Sequence, residues 1–408
     1  MHDAEAAFVQ AMARAIIDAG TYDADAAGKV AGWDVMKSQT VDALAAICGV
    51  DVEQIRSAAA AFAKPEYKII VFEKPILDAA TPDAMQAIAN LALLCRNVGL
   101  MGLVEHNNTM GAIAAGLLPD GGMSTCEMLE AAAAGKLKAL VLLGANPIEH
   151  FPDRALAAKA LANLECLILI ELFPTECAVN AQFLFPAQAY AERDGIYVNC
   201  EGRMQAFRAV VPAKGDTKPD WEIITGLANA MGAGWKYATL EQVRESVKAA
   251  VPDYAPELVA VSIERYGGYG VYQSSAGKLP SPQVNGGSPK YGAVDTTQTD
   301  APKDYPFGLI ARKVLFDTGT MMVGTPAAMV TAGPARCYVA KADAAAMSIA
   351  DGDRIKVTSA AGSILVTAVV NGVAPQGSVF VPEGFAEAPV NTLQRVGDTA
   401  TFVRIGKA

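Results

Sequence analysis

The amino-acid sequence predicts an α/β protein in which a parallel sheet built from βαβ units precedes a small β-barrel. The first observation is an apolar run within residues 138–147 that ends at Gly144 and Pro147, as a buried strand ends at a ligand-side loop. The second is a similar run at residues 164–171, which follows a helical stretch and completes a βαβ unit. The third is the alternation of short strand-like runs with turn residues after Phe307.

The first segment, residues 1–65, has helical patterns and no strand. Residues 3–19 have apolar side chains at helical spacing, and Gly20 follows as a helix stop. Thr40 and Asp51 are predicted to cap two further helices. The segment is therefore predicted to be a helical lead-in.

The next segment, residues 66–231, carries the predicted sheet. A strand is predicted at residues 67–72, and residues 97–122, which are rich in Gly and Asn, are predicted to be a loop with a short helix. Pro147 is predicted to start one helix that runs to about Asn163. Further elements are predicted at residues 124–134 (helix), 183–185 (strand), 196–203 (extended) and 220–231 (helix).

The composition changes again in the last two segments. Residues 232–306 are predicted to be a helical segment followed by a connector rich in Gly and Pro. Residues 307–408 form the predicted barrel domain. Its strands are predicted at residues 309–310, 354–358, 363–366 and 378–381, with turns at residues 351–353 and 360–362.

The composition argues against several classes of function. Charged residues make up 19% of the chain and the formal net charge is −10, whereas nucleic acids and anionic membranes require a basic surface. No apolar run reaches the roughly 20 residues that a membrane span needs, and the acidic start does not resemble a signal peptide, so a cytoplasmic location is expected. The seven cysteines include no C-x-x-C pair, and only three histidines are present. No iron–sulfur cluster, zinc site or catalytic nucleophile is therefore predicted.

Several short motifs occur in a fixed order along nearly the whole chain. They are residues 16–22 (IIDAGTY), 143–147 (LGANP), 191–195 (AERDG) with 198–203 (VNCEGR), 218–221 (KPDW), 316–320 (FDTGT), 349–353 (IADGD) with 357–359 (VTS), and 390–393 (VNTL). Each motif is weak alone, but their number, order and spacing resemble the molybdopterin oxidoreductase family. Within that family, residues 201–203 and the short ending after Asn391 are most similar to the large G-type subunits of bacterial NADH:quinone oxidoreductase, respiratory complex I.

The resemblance implies that the last domain is the family's six-stranded double-psi barrel and that loops of both domains approach a pterin dinucleotide. The site residues that it implies, in a site expected to be vestigial, are Gly144, Ala145, Asn146, Arg312, Thr318, Gly319, Thr320 and Asn391. Each also has a structural interpretation. Gly144 to Asn146 form a tight strand-to-helix turn, and the others are barrel residues whose hydrogen bonds are satisfied within the protein. Likewise, residues 192–194 are interpreted as a charged turn, and not as an acid–base cluster.

The chain departs from the cofactor-binding pattern of the family. Residues 109–118 are mostly apolar, whereas the phosphates of a dinucleotide need backbone N–H groups, hydroxyls and basic side chains. An unpaired buried polar group costs about 1–3 kcal/mol. The family's cluster-binding region and molybdenum ligand correspond to positions before Met1. No cofactor is therefore expected on this chain, and a partner chain is expected to carry the iron–sulfur clusters and the first half of the fold.

These inferences lead to three hypotheses. The first is a scaffold subunit, not catalytic alone, in the peripheral arm of a complex I-like NADH:quinone oxidoreductase, attached to the inner membrane only through its complex. The alternative is the second half of a split molybdenum or tungsten oxidoreductase such as a formate dehydrogenase, which would share molybdopterin guanine dinucleotide with a partner chain. The third is a free nucleotide-binding module. None of them involves nucleic acid or direct membrane insertion.

Overall fold

The chain divides into two compact units that interleave along the sequence. The computed structural model describes residues 4–27, 31–73, 83–95, 97–103, 106–117, 121–199, 204–250, 259–261, 271–273, 291–296, 300–398 and 400–408. The first unit comprises Met1–Leu118, Ile196–Phe207 and Ser246–Thr299, and the second comprises Pro119–Gly195, Arg208–Glu245 and Asp300–Ala408. The sequential division into domains 1–65, 66–231, 232–306 and 307–408 stays a prediction.

The described residues form fourteen α-helices. They are α1 Glu5–Asp18, α2 Ala24–Ala27, α3 Val41–Cys48, α4 Val52–Ala63, α5 Asp83–Leu94, α6 Thr109–Ala114, α7 Thr125–Ala133, α8 Pro147–His150, α9 Arg154–Ala162, α10 Asp220–Ala230, α11 Leu240–Ala250, α12 Thr320–Val323, α13 Pro326–Ala332 and α14 Lys341–Ala346. Short 3₁₀ helices lie at Trp33–Lys37, Glu176–Asn180, Tyr190–Glu192 and Val390–Leu393.

The strands of the described residues form three open sheets and one closed barrel. The open sheets have the orders β1-β2, β3-β4-β5 and β6-β7-β9-β8, and the barrel has the order β10-β14-β11-β13-β12-β15. The strands are β1 Lys68–Glu73, β2 Val98–Leu103, β3 Ala139–Leu143, β4 Cys166–Glu171, β5 Phe183–Pro186, β6 Gly195–Val198, β7 Met204–Phe207, β8 Val259–Val261, β9 Val271–Gln273, β10 Phe307–Arg312, β11 Arg336–Ala340, β12 Arg354–Thr358, β13 Ser363–Asn371, β14 Ser378–Pro382 and β15 Phe402–Lys407.

Helix α1 is at the centre of the first unit's core. Ala11 and Ile16 on α1 are at most 1% exposed and lie in one apolar cluster with residues of α3, α4 and α5. After the helix, Gly20 has φ +65°, a conformation that glycine adopts without a steric penalty. Thr40 accepts a hydrogen bond from the Ala43 amide, and Asp51 accepts bonds from the first turn of α4. The helices predicted in this segment and their caps at Thr40 and Asp51 are confirmed.

The predicted loop over residues 97–122 is wrong in its first part. Residues 98–103 form β2, which runs parallel to β1 with Lys68 opposite Val98 and Glu73 opposite Leu103. The two glycines of this strand hid it, because glycine lowers strand propensity and interrupts the apolar pattern. The predicted short helix is present as α6. Residues 104–105 and 118–120 of this segment lie outside the described residues.

The predicted βαβ unit is present in the second unit. Strands β3, β4 and β5 are parallel, with Leu143 opposite Ile170 and Ile170 opposite Phe185. The single helix predicted from Pro147 to Asn163 is wrong, because it is broken into α8 and α9. Pro152 lacks an N–H group, and Asp153 turns the chain at φ +83° and accepts a hydrogen bond from the Leu156 amide as the N-cap of α9.

The barrel confirms the predicted second architecture. Its six strands close completely, with β10 parallel to β14, β11 parallel to β13, and antiparallel pairing elsewhere around the ring. Alternate side chains point inward, so that Cys337, Ile355 and Val379 are 0% exposed. Burial of one such aliphatic side chain contributes about 1.5–3 kcal/mol relative to an exposed position. In the part of the chain that the structure describes, no helix has both the length and the apolar character that crossing a membrane requires.

Candidate functional site

The first side of the candidate site is the turn after β3, which lies in the second unit. Gly144 has φ +57°, and its amide donates to the carbonyl of Ile170 on the neighbouring strand at 2.9 Å. Ala145 is exposed, whereas Asn146 is only 6% exposed and is the N-cap residue of α8. The sequence bends here because glycine permits the positive φ and Pro147 has the φ of a first helical residue.

Both polar atoms of the Asn146 side chain are engaged inside the protein. Nδ2 donates to Glu149 Oε2 at 3.0 Å, and Oδ1 accepts from the thiol of Cys177 at 3.2 Å. Burial raises the pKa of the Cys177 thiol, so the sulfur stays protonated and remains a donor. The Asn146 amide is therefore held by its neighbours and is not presented to a ligand.

The second side of the site is the barrel loop that follows β10, also in the second unit. The amide and hydroxyl of Thr318 both donate to the Gly384 carbonyl, at 2.9 and 3.0 Å. The Gly319 amide donates to Asp317 Oδ1 at 3.0 Å, and the Thr320 hydroxyl donates to Glu149 Oε2 at 2.8 Å. These donors of residues 318–320 thus point to acceptors of the same chain.

Asn391 joins the barrel to the turn after β3. Its Nδ2 donates to the carbonyls of Ile148 and Phe151, at 2.9 Å each, and the residue is 4% exposed. These carbonyls lie in α8 and at its end, where a four-residue helix cannot satisfy them internally. Asn391 therefore acts as a C-terminal cap that is supplied from another part of the chain.

The structure brings together only some of the predicted residues. Asn146, Thr320 and Asn391 all contact residues 148–151. Thr318 and Gly319 flank Thr320. The others contribute no side chain to this group: Gly144 and Ala145 lie on the turn itself, and the Arg312 side chain is exposed and donates to the carbonyl of the preceding residue at 2.8 Å.

Sequence reasoning missed the residue at the centre of this arrangement, Glu149. The side chain is 15% exposed, and Oε2 accepts from both Asn146 and Thr320. A local signal existed, because an acidic residue in the first helical turn is a frequent N-terminal stabiliser. That signal indicates helix stabilisation, and it carries no information about a partner 171 residues away.

Two acceptor oxygens of the site are buried without a hydrogen-bond donor among the described residues. They are Glu149 Oε1 and Asn391 Oδ1. His150 Nε2 lies 3.7 Å from the first of them. A second carboxylate, that of Asp317, also lies here: a Cβ atom placed on Gly319 would be 3.2 Å from both Asp317 Oδ1 and Glu149 Oε1. The site is therefore rich in acceptors and negative charge.

The side chains of these residues do not fit the phosphates of a pterin dinucleotide in the present arrangement. Phosphates are bound by free backbone N–H groups, hydroxyls and basic side chains. Here the side-chain donors of residues 146, 318, 320 and 391 are used within the protein, and two carboxylates flank Gly319. Among the described residues, no group of three or more His, Cys, Asp or Glu side chains is arranged to hold a metal ion.

The charged turn at residues 192–194 has structural partners. Arg193 pairs with Asp220, Glu192 accepts from the amides of residues 189 and 214, and Asp194 accepts from the amide of residue 209. This agrees with its interpretation as a charged turn. The neighbouring motif residues 201–203 lie outside the described residues.

Glu171, at the carboxyl end of β4, is a second residue that sequence reasoning missed. It is 7% exposed, and burial raises the pKa of its carboxyl, with Asp220 adding to the rise and the Leu172 amide and His150 opposing it. The pKa of Glu171 is higher in the folded state than in the unfolded state, so ionisation of this carboxyl lowers the free energy of unfolding. This loss of stability is absent below the unfolded-state pKa and appears as the pH rises through the folded-state pKa.

We therefore expect Glu171→Gln to stabilise the protein at neutral pH, and to lose this advantage in acid. Thermal melts of both proteins across the acidic and neutral range would show converging midpoints as the pH falls. Glu245→Gln, at an exposed position, is the matched control and should leave the midpoint unchanged. A Glu171→Gln protein that is less stable than the parent at neutral pH would contradict this prediction.

Comparisons with known proteins agree with the architecture and with the motifs. Residues 4–230 match the family described as molybdopterin oxidoreductase, and residues 307–401 match the molydopterin dinucleotide binding domain. The F420-dependent formate dehydrogenase subunit alpha of Methanocaldococcus jannaschii is 29% identical over 88% of this chain and 60% of its own length. A G-type NADH-quinone oxidoreductase subunit of Rhizobium meliloti is 27% identical over 79% of this chain and 40% of its own length.

A solved structure shows the same fold at greater sequence distance. Acetylene hydratase from Pelobacter acetylenicus superposes with a TM-score of 0.69 at 17% identity, covering 99% of this chain and 70% of that protein. The chain thus spans only part of the length of its relatives. The first family match covers more than half of the chain, and the second covers nearly all of the barrel. The chain belongs to the molybdopterin oxidoreductase family.

Proposed function

We propose that this chain is a structural part of a complex I-like NADH:quinone oxidoreductase, of the kind represented by the G-type subunits. In this proposal it binds neither pterin nor metal, and electrons pass through iron–sulfur clusters that another polypeptide region carries. It would lie in the peripheral arm of the complex, on the cytoplasmic side of the inner membrane. The similarity to the G-type subunit of Rhizobium meliloti supports this assignment.

One observation carries the proposal. The two segments that were expected to contact a dinucleotide are hydrogen-bonded to each other. Asn391 donates to two carbonyls of residues 148–151, and Thr320 donates to Glu149. A hydrogen bond inside a low-dielectric site is worth more than one in water, and each engaged donor must be released before it can bind a phosphate. The candidate site is therefore better suited to holding the βαβ region and the barrel together than to binding an anionic cofactor.

Exposed apolar side chains on the outer strands of the β3-β4-β5 sheet support the presence of a partner polypeptide. Val141 and Leu143 on β3 are 47% and 45% exposed, and Phe183 and Leu184 on β5 are 54% and 48% exposed. By register, Val141, Leu143 and Phe183 lie on one face of the sheet and Leu184 lies on the other. Exposed apolar residues on edge strands are a feature of interaction surfaces. We propose that these strands face another polypeptide of the complex.

The second candidate function is the shared pterin site of a molybdenum or tungsten oxidoreductase. The specific observation in its favour is the similarity to a protein named F420-dependent formate dehydrogenase subunit alpha over most of this chain. The comparisons support this alternative at least as well as the first. In it, molybdopterin guanine dinucleotide would bind to this chain and a partner together, after the internal bonds of Glu149 and Asn391 had been released.

Elemental and cofactor analysis of the intact complex separates the two functions. The complex would be purified through a tag on this chain, and its iron, molybdenum, tungsten and released pterin would be quantified per chain. Abundant iron with far less than stoichiometric molybdenum, tungsten and pterin is expected. Stoichiometric molybdenum or tungsten together with pterin would overturn the structural proposal and establish the alternative.

A further inference from the structure

We infer that Glu149 is an internal anionic ligand: its carboxylate occupies the donors that a phosphate of a dinucleotide would need. The inference rests on the proposed function, since it explains how a family member closes this site without a cofactor. Glu149 thus keeps anions out of the site. Without its carboxylate, the site would bind a ligand such as inorganic pyrophosphate.

Two donors from separate segments converge on the Glu149 carboxylate. Asn146 Nδ2 and Thr320 Oγ1 both donate to Oε2, at 3.0 and 2.8 Å. These donors come from the turn after β3 and from the loop after β10. The motifs predicted that these two segments would contact a dinucleotide. An oxygen of a phosphate group accepts the same kind of hydrogen bond as an oxygen of a carboxylate. Glu149 therefore presents the protein's own anion to both segments at once.

The local charge also opposes an anion. Glu149 Oε1 and Asp317 Oδ1 both lie 3.2 Å from the position of a Cβ atom on Gly319, so two carboxylates flank one glycine. Two carboxylates beside one glycine give this part of the site negative charge, and an anion is repelled by negative charge more in a partly buried site than in water. A phosphate that approached Gly319 would meet this repulsion in addition to finding its donors engaged.

The unsatisfied atoms of the site have the wrong polarity for a phosphate. Asn391 is 4% exposed, and its Oδ1 is buried without a hydrogen-bond donor among the described residues, as is Glu149 Oε1. Both orphaned atoms are acceptors. A vacant phosphate site would instead leave donors unpaired. This site thus has unpaired hydrogen-bond acceptors, whereas an empty phosphate-binding site has unpaired donors.

Removal of the carboxylate should reverse this situation. Glu149→Ala frees Asn146 Nδ2 and Thr320 Oγ1, removes one of the two negative charges, and leaves the His150 imidazole without its acidic neighbour. We expect the variant to bind inorganic pyrophosphate at least about tenfold more tightly than the parent, the change that 1.4 kcal/mol produces. Glu149→Gln removes the charge but keeps an amide oxygen for the two donors, so a smaller gain is expected.

The experiment uses isothermal titration of the full chain in its purified complex with inorganic pyrophosphate. The parent, Glu149→Ala, Glu149→Gln and the surface control Glu130→Ala are compared, and other anion sites of the complex cancel in the differences. Glu130 is exposed just before the end of α7, so its variant should titrate like the parent. In the double variant Glu149→Ala with Thr320→Val, one of the freed donors is lost, and the gain should shrink markedly.

Several results would overturn the inference. One is equal titration of the parent and Glu149→Ala, whether both bind pyrophosphate or neither does. Another is a gain that persists unchanged in the double variant, since the Thr320 hydroxyl would then play no part. If Glu149→Ala fails to assemble into the complex, Glu149→Gln must still show a gain over the parent, and equal titration by that variant would equally refute the inference. The proposed function fails separately, through stoichiometric molybdenum or tungsten and pterin in the parent complex.

Discussion

Replacement of Leu169 by alanine is expected to lower the free energy of unfolding by about 3–5 kcal/mol. Leu169 is 0% exposed in the middle strand of the β3-β4-β5 sheet, with Leu142 and Leu184 as its register neighbours. It belongs to the apolar cluster that also contains Ala157 and Leu161 of α9. Truncation removes buried apolar surface and leaves a cavity that surrounding strands cannot fill, so both effects add.

The effect should extend to the candidate site, because Leu169 immediately precedes Ile170, whose carbonyl accepts the bond from the Gly144 amide. Urea denaturation followed by circular dichroism measures the change in the free energy of unfolding. Leu184→Ala is the matched control, since Leu184 lies opposite Leu169 but is 48% exposed. We expect Leu184→Ala to lower the free energy of unfolding of the isolated chain by less than about 1 kcal/mol.

The control also bears on the proposed interface. If β5 faces another polypeptide of the complex, Leu184→Ala should weaken assembly while leaving the stability of the isolated chain nearly unchanged. Equal destabilisation of the isolated chain by Leu169→Ala and Leu184→Ala would mean that Leu184 is part of the core, contrary to its exposure.

Asn391→Ala is expected to lower the free energy of unfolding by about 2–3 kcal/mol. The substitution removes the hydrogen bonds that Nδ2 donates to the carbonyls of Ile148 and Phe151, the first buried and the second partly buried. The Ile148 carbonyl keeps Arg154 Nη1 as a donor at 2.7 Å, so the Phe151 carbonyl is the more affected of the two. Loss of the unpaired Asn391 Oδ1 offsets a small part of this cost. The expected loss is large for a polar residue in a 3₁₀ segment, because one side chain supports two carbonyls.

Hydrogen exchange gives this prediction a local readout. Amides of residues 148–151 and 153–157 should exchange faster in Asn391→Ala, since α8 loses the cap that the barrel supplies. Asn371→Ala is the control, because Asn371 ends β13 and its Oδ1 accepts an exposed, local hydrogen bond from the Val373 amide. Asn391→Asp keeps the size but lacks the amide donors, so it should destabilise at least as much as alanine. An Asn391→Asp protein as stable as the parent would contradict the assigned role.

Much of the fold could be predicted because its signals are local. Gly20, Thr40 and Asp51 end or begin helices through backbone groups within a few residues, and the apolar runs of β3 and β4 report burial directly. The errors have local causes as well. Glycines concealed β2, and the break between α8 and α9 depends on the conformation of Asp153 after Pro152.

The candidate site could be located from sequence but its chemistry could not. The motifs placed Asn146, Thr320 and Asn391 in a common region, and the structure joins all three to residues 148–151. None of the motif residues indicated that Glu149 would accept from two of them. That contact needs a closed barrel, a completed βαβ unit and a fixed arrangement of both within the second unit.

The sequence by itself thus determined many of the helices and strands, the two architectures and the family, because capping residues, apolar periodicity and motif spacing act over short distances along the chain. Only the tertiary structure decided which donors of the site are engaged. A hydrogen bond between residues 171 positions apart depends on distances of about 3 Å, and no local pattern specifies such a distance. The carboxylate of Glu149, held by Asn146 and Thr320, is the clearest result of that long-range constraint.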